Sequence, residues 1–375
     1  MPGRSGPLIA STEPVGRGPG RWVDLKLIRI RAFFVYNRFS IAYLVGLAYG
    51  LQRTKPGVVR GSCMWPPHAA IRRGRRLFAP PVRGIAMRPA AFEYHKAANI
   101  DDAIRLLAEF GEDGRPIAGG QSLVPMMNLR LARPGHLVDI NALPMNDITF
   151  DDHVMRVGAL VRHEQYARDP RVGAHFPALM DAVRWIGHPT IRRHGSIGGS
   201  LSHADPTAEL PAAALLYDAS IVTRSLSGER RIAAVDFLLS AYVTALEPGE
   251  LVVAVEFPLP SRNSTGCFLE IAERHGDFAT ASVGVAIEFE SENITRAALV
   301  CCGAELVAIR APDIEAHLVG RPLAAPDAAE AARRFAASVN PIGHHGASAD
   351  YKCALIGELT RRAIDSACAS ALDRT

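Results

Sequence analysis

Ile191-Arg192-Arg193-His194-Gly195-Ser196-Ile197-Gly198-Gly199-Ser200-Leu201-Ser202-His203-Ala204-Asp205-Pro206 is the stretch from which the rest of the chain is read. Three glycines within five positions, flanked by serines and followed by an apolar run from Leu210, describe a backbone that approaches a guest closely and offers it N–H groups. Glycine has no Cβ to exclude an oxygen and takes positive φ readily, so successive amides converge into an anion-binding nest. Phosphate is the expected guest. A second stretch of this kind, Ile117-Ala118-Gly119-Gly120-Gln121-Ser122-Leu123, lies upstream between a strand-like and a helix-like run. Either Gly-Gly pair alone reads more simply as a tight turn. Together, with their serines, they favour two loops clasping one pyrophosphate.

Neither loop is a known nucleotide fingerprint. No G-x-G-x-x-G opens a helix and no G-x-x-x-x-G-K-[ST] is present, so the Rossmann and P-loop readings fail on residues. There is likewise no G-x-S-x-G nucleophile elbow. No catalytic residue is assigned to this chain.

With 375 residues, 48% hydrophobic and 21% charged, the chain has ordinary globular composition and room for two domains. Its net charge of +4 hides an asymmetry. Residues 1–86 carry 15 Lys and Arg against two acids, Glu13 and Asp24, which leaves 27 basic and 36 acidic residues in 87–375. The body is therefore acidic, which argues against a nucleic-acid partner. The basic segment is rich in Gly, Pro and Arg and shows no sustained period. It reads as disordered or as lying upstream of a true start at Met87. Its apolar run, Phe39 to Gln52, is shorter than the roughly 20 residues a membrane-spanning helix needs. No membrane span and no export signal are expected, and the location is read as cytoplasmic.

Six cysteines, Cys63, Cys267, Cys301, Cys302, Cys353 and Cys368, form no C-x-x-C pair and no zinc or iron–sulfur spacing. The chain is expected to ligate no cluster. His344-His345 is an adjacent pair without a third ligand, so no metal is assigned either.

From Met87 the pattern turns regular. Phe92-Glu93-Tyr94-His95 reads as a strand, and Asn99 or Asp101 caps a helix from Ile100 to Phe110 that Gly111 stops. Leu123–Leu131 reads as a short helix, with Met126-Met127 as core filler. His136–Ile140 and Val154–Gly158 read as strands, and Ala174–Ile186 as a helix leading directly into the opening stretch. Then come a helix Leu210–Tyr217, a hairpin over Ser227-Gly228 and a strand Leu251–Phe257. Past Ser261-Arg262-Asn263-Ser264 three long strands precede helices from Ile314, Ala328 and Ala349, the texture of an α+β domain.

Residues 87–375 resemble, nearly end to end, the FAD-carrying medium subunit of molybdenum hydroxylases, the group of aerobic carbon monoxide dehydrogenase and the flavin domain of xanthine dehydrogenase. The resemblance rests on five motifs in the family's order. They are Ala118-Gly119-Gly120-Gln121-Ser122-Leu123 with Pro125-Met126-Met127, Arg193-His194-Gly195-Ser196-Ile197-Gly198-Gly199, Ala204-Asp205-Pro206 with Glu209-Leu210-Pro211, Gly276-Asp277-Phe278-Ala279, and Ala349-Asp350-Tyr351-Lys352.

The resemblance implies an α+β fold. Two α/β subdomains would form an FAD-binding domain of the vanillyl-alcohol-oxidase (PCMH) type over 87–262, and 263–375 would form a smaller domain with a three-stranded antiparallel sheet and helices. It also implies roles. Ala118, Gly119, Gly120, Gln121, Ser122 and Leu123, with Ser196, Ile197, Gly198, Gly199 and Ser200, would surround the pyrophosphate, and both loops would donate backbone N–H groups. Asp205 follows the second loop, where an Asx turn before Pro206 is the simpler reading. His203 reads equally as a phosphate donor and as a turn residue. Glu209 would accept ribose hydroxyls, and Leu246, Arg274 and Asp277 would approach the flavin ring.

Clusters of the [2Fe-2S] type and molybdopterin are expected on partner subunits only, a small iron–sulfur subunit and a large molybdenum subunit, in a dimer of heterotrimers. The complex is placed in the cytoplasm or peripherally at the inner membrane face. Electrons would leave to quinone, NAD or another acceptor. Gln121 stands where the carbon monoxide enzymes carry histidine, which puts carbon monoxide in doubt and leaves the substrate open between it and an organic compound. The other readings are a free-standing vanillyl-alcohol-type flavin oxidoreductase, for which the terminal region is small, and a nonredox scaffold subunit, which has no use for paired glycine loops. Deleting residues 1–86 is expected to leave folding and bound flavin unchanged, measured by visible absorbance of the purified protein. Loss of soluble expression would instead make the basic segment a docking element for an acidic partner.

Overall fold

In the computed structural model, residues 87–344 and 346–374 are described. The basic amino-terminal segment and its assignments, and His345, lie outside them. Three sheets follow one another along the chain.

The first is parallel, in the order β1-β3-β2: β1 (Glu93–Lys96), β2 (Gly114–Ile117) and β3 (His136–Asp139). Helix α1 (Ile100–Phe110) crosses between β1 and β2, capped by the Asn99 side chain accepting from the Asp102 N–H and ended by Gly111 at φ 52°. Its apolar stripe, Ala103, Ile104 and Leu107, meets Val138 of the first sheet and also Val222, Leu251 and Val253 of the second. Helix α2 (Leu123–Asn128) follows β2, and Met127 fills a small core with Ala132 and Leu137.

The second sheet is antiparallel, in the order β4-β5-β10-β6-β7, from β4 (Ile148–Phe150), β5 (Val154–Gly158), β6 (Ser220–Ser225), β7 (Gly228–Ala233) and β10 (Leu251–Pro258). The small pair β8 (Leu238–Ser240) and β9 (Val243–Thr244) lies between β7 and β10 in sequence, after the short α9 (Ala234–Phe237).

Between β5 and β6 the chain makes six short helices: α3 (His163–Tyr166), α4 (Pro170–His175), α5 (Pro177–Trp185), α6 (Pro189–His194), α7 (Ile197–His203) and α8 (Glu209–Leu216). Proline explains the segmentation. Pro170, Pro177 and Pro189 each open a helix, where the missing N–H is harmless. The expected helix Ala174–Ile186 is therefore broken at Phe176, which leaves helical geometry at φ −128°, ψ 62° ahead of Pro177. Its second part, α5, is separated by Ile186 to His188 from α6, whose last four residues, Ile191 to His194, open the glycine stretch.

The third sheet carries the three expected long strands, β11 (Ser264–Ala272), β12 (Ala279–Glu290) and β13 (Asn293–Cys302), and adds a two-residue edge strand, β14 (Ile309–Arg310), making four. Helices α10 (Pro312–Leu318), α11 (Ala328–Ser338) and α12 (Ala349–Leu372) cover one face. Strand alternation divides this sheet cleanly. Ala297, Leu299 and Cys301 point into the core under those helices, whereas Ala298, Val300 and Cys302 join the core of the preceding domain.

Helix α8 lies against that second face, with every residue from Leu210 to Leu216 buried. A helix apolar on all sides must sit between layers. Opposite it, Glu270 of β11 is 3% exposed, and neither of its carboxyl oxygens has a partner among the described residues. Burial first, and then the charge of Glu209, push its pKa up to about 9. Next to it in this face, Ser282 pairs with Cys302 at 2.5 Å, and burial holds the Cys302 thiol protonated.

This makes stability pH-dependent. Above the ordinary glutamate value of 4.5 the unfolded chain loses the Glu270 proton while the folded chain keeps it. The native state then binds more protons, so stability falls as pH rises towards about 9. Glu270→Gln is expected to flatten this slope and to unfold at a higher temperature than the parent in mildly alkaline buffer. Parallel thermal-melt profiles for the two proteins across that window would contradict it.

Candidate functional site

The two glycine stretches meet on the page of the structure as they do in the motif reading, but they contribute differently. Both line a cleft of about 770 Å³ whose far wall comes from the segment before β10 and from the β11–β12 turn. That size suits a cofactor-sized ligand.

In the first stretch, none of the five backbone N–H groups from Gly119 to Leu123 donates a hydrogen bond within the described residues. Gly120 has φ 70°, which a side chain would resist. Gln121 folds back, its Nε2 donating to the Gly119 carbonyl at 2.9 Å. The Ser122 hydroxyl makes no cap to α2 and is exposed.

The second stretch is helical from Ile197, so Gly198 and Gly199 sit in the first turn of α7 rather than in a loop, while Gly195 ends α6. Most of the stretch's N–H groups are already committed. Ile197 donates to the Val161 carbonyl at 3.2 Å and Gly198 to the Ala159 carbonyl at 3.0 Å, while Gly199 reaches the Ser196 Oγ at 3.3 Å. The row of uncommitted backbone amides therefore lies in the first stretch. The second offers the Ser196 and Ser200 side chains and the bare Cα of Gly199.

Why these positions are glycine also differs. A Cβ on Gly119 would overlap the His194 carbonyl oxygen, and one on Gly198 would stand 2.6 Å from the Ala159 Cβ. Gly199 is exposed, and a Cβ there would meet only the Ser196 Oγ, at 3.0 Å.

Two residues that the motif reading passed over hold the stretches together. Arg162 donates to the His194 carbonyl at 2.6 Å and to the Asn141 Oδ1 at 2.7 Å, and Asn141 Nδ2 donates to the Ala118 carbonyl at 3.0 Å. Asn141 follows β3 and Arg162 follows β5, so the tie depends on strand ends that no local motif marks. Beneath it, burial and then Arg162 push the His163 pKa down to about 3, which leaves a neutral imidazole paired with Tyr166 at 2.7 Å.

At the other end of the cleft Glu209 opens α8, and its carboxylate accepts no hydrogen bond from another residue among those described. Burial first, with Asp205 nearby, pushes its pKa up to about 7. Asp205 lines the cleft, but its carboxylate is occupied internally. Oδ1 accepts from the Thr207 N–H at 2.9 Å and hydroxyl at 2.7 Å, and Oδ2 accepts from Tyr242 at 3.2 Å. His203 also faces the cleft, with burial lowering its pKa. Leu246 and Asp277 line the wall, joined by Gly276 and Phe278. His275 stacks on Trp185 at 5.3 Å, which fixes this turn over the first domain.

Two of the sixteen expected residues fall outside the cleft wall. Ile197 is buried in the core, because the first turn of α7 points it inward, and Arg274 is exposed on the outer side of its turn. What remains can hold a ligand with an anionic centre and a hydroxyl-bearing end: unpaired amides at one place and an unpaired carboxylate at the other.

Comparison with known proteins agrees with this arrangement. Residues 90–260 match the family described as the FAD binding domain in molybdopterin dehydrogenase, and 267–367 match the CO dehydrogenase flavoprotein C-terminal domain. The chain is 38% identical over 283 residues to the 6-hydroxypseudooxynicotine dehydrogenase complex subunit alpha of Paenarthrobacter nicotinovorans, covering 75% of this chain and 96% of that one. It is 31% identical over 282 residues to the carbon monoxide dehydrogenase medium chain of Hydrogenophaga pseudoflava, covering 75% and 98%. Among solved structures, quinoline 2-oxidoreductase from Pseudomonas putida 86 superposes with a TM-score of 0.72 at 32% identity, covering 76% of this chain and 99% of that one. With the glycine clasp, the cleft and both domain matches in the family's order, this chain belongs to the FAD-binding medium subunits of the molybdenum hydroxylases, the family of carbon monoxide dehydrogenase medium chains and xanthine dehydrogenase FAD-binding subunits.

Proposed function

We propose that the chain is the electron outlet of a three-subunit hydroxylase acting on an organic substrate. The observation that carries the reading is the row of five unpaired N–H groups from Gly119 to Leu123 along the cleft. These amides lie on an open cleft wall, half-buried or exposed, where a pyrophosphate supplies several anionic acceptors at once.

In this reading Gly119 to Leu123 hold the pyrophosphate by backbone donors, and Ser122 and Ser196 add hydroxyl donors. Gly199 lets the phosphate lie against its Cα. Glu209 accepts the ribose hydroxyls. Leu246 and Asp277 bound the ring end, where Phe278 restricts water. FAD, when bound, supplies exchange of electrons singly or in pairs. The residues of this chain bind it, orient it and shield it.

Substrate oxidation belongs to partners. The described cysteines are separate thiols, four of them buried, so [2Fe-2S] clusters sit on a small subunit and molybdopterin on a large one. Quinone or NAD takes the electrons away. No helix among the described residues is long and apolar enough to cross a membrane, and a cytoplasmic complex accords with that. The names of the Paenarthrobacter and Pseudomonas relatives refer to nitrogen-containing ring compounds, and with Gln121 they favour an organic substrate over carbon monoxide. What co-purifies with a tagged chain tests the assembly, and a lone subunit that oxidises such a substrate unaided would overturn it.

Gly199→Val is expected to remove bound FAD while leaving circular dichroism and gel-filtration behaviour unchanged, because the new side chain meets cleft rather than core. Retained flavin in that variant would point to the scaffold reading. Gly198→Ala is the contrasting case, expected to destabilise the fold by about 1–3 kcal/mol through overpacking on Ala159. Arg162→Ala touches nothing in the cleft yet unties the two stretches. It is expected to raise the FAD dissociation constant by roughly tenfold or more, about 1.4 kcal/mol, read by fluorescence titration of the apoprotein.

A further inference from the structure

We propose that Glu93, His95 and His136 form a binding site for a divalent metal ion, with zinc(II) as the best-fitting occupant. The cluster is separate from the cleft and belongs to no motif singled out in the sequence. Strand pairing creates it. Glu93 and His136 are register partners on the parallel strands β1 and β3, and His95, two residues beyond Glu93, points to the same face.

The three potential ligand atoms form a compact triangle. His95 Nε2 and His136 Nδ1 are 3.1 Å apart, and Glu93 Oε2 lies 3.6 Å from His136 Nδ1 and 3.8 Å from His95 Nε2. A tetrahedral zinc ion with bonds of about 2.0–2.1 Å has ligand–ligand edges of about 3.3–3.4 Å. The observed edges straddle that value, so an ion fits with small side-chain adjustments. Two imidazoles and one carboxylate select zinc or its borderline neighbours over calcium or magnesium, which prefer all-oxygen shells.

The site is also supported from below. The Phe110 ring stacks on His136 at 4.0 Å with an interplanar angle of 8° and lies 4.7 Å from the His95 ring, so one aromatic side chain sets both imidazoles. The Glu93 side chain is 73% exposed, so no packing stands against its closing on an ion. The fourth position faces outward and is available to water or to a residue of another molecule.

Bound there, the ion would tie β1 to β3 at the start of both strands. The first glycine stretch follows the opposite end of this sheet, where Ile117 pairs with Asp139. The ion is therefore expected to stabilise the subdomain without touching the cofactor cleft, which separates this proposal from the FAD reading. The competing description is a plain hydrogen bond between two histidines with a solvated Glu93 beside it.

The test uses the full chain with its flavin, stripped of metal by a chelator, and titrates zinc chloride by calorimetry alongside thermal unfolding. One saturable equivalent and a raised unfolding temperature are expected in the parent. His95→Ala and His136→Ala should each weaken binding by at least about tenfold. Glu93→Ala, at an exposed position, should also weaken binding while leaving the fold intact, and His344→Ala should change nothing. Flavin absorbance should stay constant throughout. Absence of a saturable event in the parent, or equal binding in the parent and in a folded Glu93→Ala/His136→Ala variant, would overturn the site and mean adventitious surface zinc or none.

Discussion

The architecture depends on one close approach of backbone to backbone. Gly119, at the end of the small parallel sheet, lies so near the His194 carbonyl that any side chain would overlap it. The end of the first sheet and the end of α6 are brought to contact distance there, and the cleft lies beside this contact. Arg162 and Asn141 secure the approach with charge-assisted and amide hydrogen bonds to carbonyls on both sides. A hydrogen-bonded tie of this kind sets spacing and direction, whereas apolar packing alone would allow the two stretches to slide.

A second constraint acts at the back of the cleft. Helix α8 is buried on every side from Leu210 to Leu216, so it can exist only where the third sheet presses on one side and helices α5, α7 and α9 on the others. Its first residue, Glu209, faces the cleft, and the carboxyl group of Glu270 beyond it is buried without a partner. Two carboxyl groups in one poorly solvated region cannot both ionise cheaply. Keeping Glu270 neutral lets Glu209 carry whatever charge its ligand favours, and it links the carboxyl-terminal sheet to the adenosine end of the expected site.

The sequence made some of this legible and hid the rest for physical reasons. Helix α1 was readable because Asn99, the apolar spacing and Gly111 are local signals. The three long strands were readable because branched and apolar residues dominate them over nine to twelve positions. The break at Phe176 was not anticipated, although Pro177 advertised it, because apolar periodicity across Ala174–Ile186 outweighed a single residue. Strand β14 has only two residues and carries no pattern of its own. In the cleft, fourteen of the sixteen residues that the resemblance implied line the wall, yet motif identity says nothing about where an N–H points. The commitment of the Ile197 and Gly198 amides to strand β5's continuation is a long-range fact. So are the Arg162–Asn141 tie and the Glu93–His95–His136 cluster, each assembled from separate strands.

The four glycines of the paired motif therefore have distinct causes although they look alike in sequence. Gly119 and Gly198 are required by neighbouring protein atoms, and Gly120 by its positive φ. Those three would be needed to keep the clasp closed even with nothing bound. At Gly199 the Cβ direction is limited by nothing but the Ser196 hydroxyl, at 3.0 Å, so the fold's own demand for glycine is weakest there. A motif that mixes fold-determined and ligand-determined glycines identifies a fold more firmly than a ligand. Within it, the residue that reports on the ligand is the one the fold itself does not need.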